Sequence, residues 1–176
     1  MRCVPPKGSV LFTGGGVGGS SSARKVDLLD CYTVNIRNAA PSLSMRSIAE
    51  VALGQPPLWM AMLLKMRDAI VLLFGVKTTK SIQSSISRDK RVGFFPILQE
   101  LQDEIVLGEN DKHLDFQLSI LRQSISDKGE TRIFLTSRVY CNNLFGRIYL
   151  LVITPFHKLV VRSMTSRMKE RLEKLL

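Results

Sequence analysis

Residues 112–141 read KHLDFQLSILRQSISDKGETRIFLTSRVYC, and this stretch decides the fold class. In its first half Leu114, Phe116, Leu118 and Ile120 alternate with His113, Asp115, Gln117 and Ser119. A period of two sends the two sets to opposite faces of a strand, one apolar and one polar. The second half, Thr131–Cys141, keeps the pattern through Ile133, Leu135 and Val139. Between them SISDKG (124–129) is rich in turn formers, which predicts a β-hairpin. The expected register sets Leu114 opposite Val139, Leu118 opposite Leu135, Ile120 opposite Ile133 and Asp115 opposite Arg138. An alternating hairpin of this kind belongs to an antiparallel sheet covered on one side.

Working outward, Phe94–Leu101 and Glu104–Leu107 read as two further strands, and Cys31–Ile36 as an earlier one. Ser44 is placed to cap a helix that ends before Gly54. Pro56 and Pro57 open a second helix, Leu58–Phe74, closed by Gly75. That helix is apolar nearly all round except at Lys65, Arg67 and Asp68, and is expected to be buried on most sides. Residues 77–92 are polar and without period, as in a loop. Beyond the hairpin, Asn142 and Asn143 are placed to cap a helical segment that starts at Leu144. Thr154-Pro155 predicts a division and restart there. Phe156, Leu159, Val160, Met164, Met168 and Leu172 then make a stripe for the sheet. Residues 1–25, with GGGVGG and three serines, read as a flexible tail that buries nothing, leaving 26–176 as a single α+β domain. Gly14, Gly16 and Gly19 fit GxGxxG, but a strand-like stretch follows where a dinucleotide site needs a helix.

Composition excludes several classes. The net charge of +10 is uneven: residues 81–142 hold eight basic and nine acidic side chains, whereas 143–176 hold seven and two. Aromatics do not interleave with the basic residues, so specific nucleic-acid binding is not expected. Cys3, Cys31 and Cys141 are odd in number and far apart, which reads as unpaired thiols in a reducing, cytoplasmic setting without a signal peptide. Two apolar runs, Leu58–Val76 and Ile148–Val161, are interrupted by charges or by Pro155, so no membrane span is expected. With two histidines and dispersed carboxylates there is no metal-ligand spacing, and no cofactor is called for. Asp103-Glu104 and Glu109-Asp111 fall at turns, where carboxylates are expected to be solvated.

Four stretches carry a family resemblance: Arg67-Asp68 with Phe74-Gly75, Gly93–Pro96, EIVLGENDKHLDF (104–116) and NNLFGRIYLLVITPFH (142–157). Together they resemble a bacterial family catalogued as domain of unknown function 2867, over roughly residues 26–170. Members of that family occur alone or behind an NAD(P)-binding domain, and the family name implies no activity. Where relatives commonly read HLDFR, this chain reads HLDFQ. The order of elements also resembles the helix-grip fold of START-like proteins, in which a sheet wraps a long final helix around a ligand cavity. That likeness implies a soluble domain that binds a small apolar or amphipathic molecule between sheet and C-terminal helix. Its alternatives are a cyclase- or dehydratase-like enzyme and a non-catalytic protein-interaction domain.

Candidate site residues follow from charges in apolar surroundings. Arg67 and Asp68 interrupt an apolar helix, where an unpaired charge would be costly. With Arg147 and His157 they are the expected polar rim of a cavity of about 300 Å³ or more. His113, Asp115 and Asn142 are secondary candidates, all on or beside the polar face of the hairpin.

Overall fold

The computed structural model describes residues 3–6, 8–11, 25–37, 43–53, 62, 65, 87–125 and 129–175. Strand β1 (Leu28–Arg37) is followed by α1 (Met45–Leu53), a short turn of helix at Arg88–Lys90, and then β2 (Arg91–Val92) and β3 (Phe95–Glu100). Strands β4 (Glu104–Asn110), β5 (Leu114–Ile125) and β6 (Glu130–Cys141) lead into a long helix α2 (Leu144–Leu175). The strands form one antiparallel sheet in the order β1-β6-β5-β4-β3-β2. The fold class is therefore α+β, with a six-stranded sheet packed on a long last helix, as the hairpin pattern predicts. The expected helix Leu58–Phe74, with Arg67 and Asp68, lies outside the described residues except at Met62 and Lys65, and Gly14, Gly16 and Gly19 lie outside them too.

The hairpin forms with a register two residues from the expected one. Leu114 faces Cys141, Phe116 faces Val139 and Leu118 faces Ser137, so Asp115 meets Tyr140 and Gln117 meets Arg138. The strands run further into the turn, which closes on Gly129 at φ 57°, a left-handed conformation that glycine adopts without strain. A slip of two keeps every side chain on its face, so the apolar set stays together.

The inner face of the sheet is closed at one end. Helix α1 starts on Ser44, whose Oγ accepts the Ser47 amide at 3.1 Å, as expected of an N-cap. Its Ile48, Ala49, Ala52 and Leu53 pack with Ile105, Leu107, Ile120, Ile133 and, from α2, Met168 and Leu172. α1 thus covers only part of that face. Among the described residues the first half of α2 lies over the rest.

The outer face is not wet, and this corrects two expectations. Ser9 and Leu11, expected in a flexible tail, are buried against it. Glu104, expected in a solvated turn, is buried as well. It accepts hydrogen bonds from Ser9 Oγ at 2.6 Å, from the Val10 amide at 2.8 Å and from Ser119 Oγ. Arg138, on the same face, donates to the Leu11 carbonyl and to Gln117 Oε1. Cys3 and Cys31 form a disulfide, which replaces the expected unpaired thiols and suits an oxidising setting rather than a reducing one. A buried carboxylate, a buried guanidinium and a covalent bond hold the first residues down.

A further correction concerns α2. Pro155 does not divide it; the helix runs through Pro155 for 32 residues. Proline removes one ladder donor and crowds the preceding turn. The Thr154 hydroxyl donates to the Leu150 carbonyl at 2.6 Å just there. The unbroken helix sends Leu159, expected against the sheet, to the outside. It is also long and apolar enough, by length and composition, to cross a membrane, with a mean hydropathy of 1.5 over its most apolar window.

Candidate functional site

A cavity of about 280 Å³ lies between the sheet and the first half of α2, close to the volume expected. Its floor is the apolar face of the hairpin, Leu114, Phe116, Leu118, Leu135 and Val139, joined by Leu28 of β1. The inner side of α2 makes the roof through Tyr149, Leu150, Ile153, Phe156, Val160 and Met164. Phe94, Phe95 and Pro96 close the β3 end. Among the described residues α1 reaches this half of the sheet only through Leu53, and α2 does not fill the space that remains. Its walls are almost wholly apolar, the usual make-up of a small-molecule pocket.

Among the described lining residues Ser137, Tyr149 and His157 carry polar groups; Gln117 also borders the cavity, but its side-chain oxygen is engaged by Arg138 on the outer face. His157 Nε2 sits 3.9 Å from Asp30 Oδ2, beyond hydrogen-bond reach, and among the described residues nothing hydrogen-bonds that nitrogen. Asp30 is buried on β1, on the face that Leu28, Val34 and Ile36 turn toward the helix. Burial lowers the His157 pKa below its ordinary value; Asp30 pulls the other way and Lys158 adds to the lowering. Near neutral pH the imidazole is therefore uncharged, its Nε2 shut in beside Asp30 while the residue itself forms part of the cavity wall.

The sign of its pH effect follows. The folded protein takes up this proton at a lower pH than the unfolded chain, whose histidine titrates near 6.5. The stabilising contribution is complete above 6.5 and is lost as the pH falls through 6.5 toward the folded value. Urea unfolding at about pH 7.5 and about pH 5.5 should show a larger fall in midpoint for the native protein than for His157→Leu. Equal falls would mean that His157 titrates as it does in water.

The other candidates are elsewhere. Arg147 is exposed on the first turns of α2 and does not line the cavity. Asn142, Asp115 and His113 come together at the start of α2. Asn142 Nδ2 donates to the Asp111 carbonyl at 2.7 Å and to Asp115 Oδ1 at 3.1 Å. Asn143 contacts His113 Nδ1 at 2.9 Å, and its own Oδ1 accepts the Gly146 amide at 2.9 Å, the N-cap expected of it. The ring of Phe145 meets His113 edge-on at 5.0 Å. Gly146 has to be glycine, because a Cβ there would lie 2.1 Å from the His113 carbonyl oxygen. These contacts fasten the helix start to the β4–β5 turn and so hold the roof over the cavity. Burial and the neighbouring Asp27 carboxylate push the Cys141 thiol pKa up, away from the reactive thiolate form.

Asp30 escaped the sequence reading because the first strand was read as beginning at Cys31 and begins at Leu28. The signal was present: an acid at an even position among Leu28, Tyr32, Val34 and Ile36 breaks an apolar alternation.

Sheet, roof helix and apolar cavity with one imidazole define an α+β domain of cavity-bearing type. The chain belongs to the family described as protein of unknown function (DUF2867), which it matches over residues 22–164. No curated protein and no solved structure matches it.

Proposed function

We propose that this domain is a binding module for a small amphipathic molecule held between the sheet and α2. The observation that carries this reading is a nearly all-apolar cavity with an imidazole, that of His157, in its wall. An acyl chain or ring would lie on Leu118, Leu135 and Val139, and its polar end would meet His157. The helix-grip relationship belongs to the same reading, supported by the succession of strand, helix, antiparallel meander and long last helix. The cytoplasmic setting expected from the sequence is not part of this reading, because the Cys3–Cys31 bond suits an oxidising one.

A thermal-shift titration with a medium-chain fatty acid and with the matching alcohol tests the binding reading. At one hundred times its dissociation constant a ligand should stabilise the fold by about 2.7 kcal/mol. Ser137→Leu, which fills part of the cavity from its floor, should abolish that shift while leaving the apoprotein folded. No shift with either ligand, and no small molecule retained in native mass spectrometry, would end the reading.

One observation favours the enzymatic alternative. Asp30 and His157 are a carboxylate and an imidazole placed side by side at an apolar cavity, the components of general acid–base chemistry in a cyclase- or dehydratase-like reaction. Asp30→Asn distinguishes the two. A binding module keeps its ligand in this variant, whereas an enzyme keeps the ligand and stops turning it over.

A further inference from the structure

The outward face of the first half of α2 is apolar and, among the described residues, uncovered. Leu144, Ile148, Leu151, Val152 and Leu159 recur at helical spacing along it, Leu144 and Leu151 being 72% and 76% exposed. Pro155 lies exposed in the same row. Arg147 and Lys158, also exposed, follow one edge of this row, and exposed Arg162 continues the row one turn beyond Leu159. From Leu144 to Lys169 the helix has no Asp or Glu.

We infer that this face lies flat on an anionic lipid surface, with the apolar row in the headgroup boundary and the basic edge against lipid phosphates. An amphipathic helix of this make-up, apolar along one line and Lys/Arg beside it, is suited to the plane of a bilayer surface. Charge argues against a second copy of the chain as the occupant. Two such faces brought together would set arginine and lysine against arginine and lysine, with no carboxylate on either to pair them. The helix lies on the membrane rather than through it, because its other side is committed. Leu150, Ile153 and Met164 roof the cavity, and His157 stands beside buried Asp30. The inference does not depend on what fills the cavity. Phe156 belongs to both the cavity wall and the exposed face, so the cavity adjoins the proposed contact surface.

The test is co-sedimentation of the full chain with vesicles of phosphatidylcholine alone and of phosphatidylcholine with phosphatidylserine. Binding is expected to the anionic vesicles, to weaken as salt rises, and to be reversed by a salt wash. The double variant Leu151→Glu/Val152→Glu should bind about tenfold more weakly or worse at an unchanged melting temperature. Removing Arg147, Lys158 and Arg162 by substitution with Ala should cost about fivefold per residue and erase the preference for phosphatidylserine. The inference is overturned by failure to bind either vesicle, by equal binding to both, or by release with detergent alone, which would mean a spanning helix. It is also overturned if the protein is a dimer that Leu151→Glu/Val152→Glu dissociates, or if that variant loses several degrees of stability. The last outcome would mean that the chain itself covers the face.

Discussion

Glu104→Ala should lower the unfolding free energy by about 3 kcal/mol, a fall in melting temperature of roughly 6–12 °C for a chain of this size. The carboxylate is buried and collects the hydroxyls of Ser9 and Ser119 and the amide of Val10. Removing it takes away the acceptor these three donors share, and each donor left without a partner costs about 1–3 kcal/mol unless water reaches it. Water reaches them only if residues 8–11 lift away, which uncovers Leu11 and the outer face of the sheet. Glu104→Gln keeps one acceptor and should cost less than half as much. A chemical denaturation series on both variants decides the matter. A loss below about 0.5 kcal/mol for Glu104→Ala would mean that the first eleven residues are not docked in solution.

Cys3→Ser is expected to cost about 3 kcal/mol under oxidising conditions and nothing under reducing ones. The Cys3–Cys31 bond closes a loop of 28 residues, and the chain-entropy argument assigns such a loop roughly 3–4 kcal/mol of stabilisation. The native protein should fall to the level of Cys3→Ser when a reductant is added, while the variant itself should not respond. An absence of any reductant effect on the native protein would show that the two sulfurs are not joined in solution. The two losses should not add in the double variant, because Glu104 and Cys31 anchor the same segment and either release sets it free. Once the segment is loose, the second anchor has nothing left to hold.

Much of the fold was legible in local pattern. The alternation from Leu114 to Ile120 and from Ile133 to Val139 placed the apolar face, and that face is the floor of the cavity. The two-residue error in register did no harm there, since side-chain direction repeats every second residue. It did change polar partners, pairing Arg138 with Gln117 in place of Asp115. Ser44 and Asn143 were recognisable as caps because capping needs only a suitable side chain three residues before an amide. His157 was visible as a polar group in an apolar helix and does line the cavity; Arg147, picked out beside it, points elsewhere.

What the amino-acid sequence determined by itself was therefore local: strand faces, helix caps and the α+β class, all governed by periods of two or 3.6 residues. Tertiary structure decided the rest. A composition rich in Gly and Ser says nothing of Ser9 meeting Glu104 across 95 residues. The spacing of Cys3 and Cys31 says nothing of a Cα separation of 5.2 Å. Local preference at Thr154-Pro155 favours a break, yet packing of α2 along the sheet keeps the helix whole and turns Leu159 outward. Each of these depends on contacts between distant parts of the chain, whose free energy exceeds the local preference only after the sheet exists to receive them.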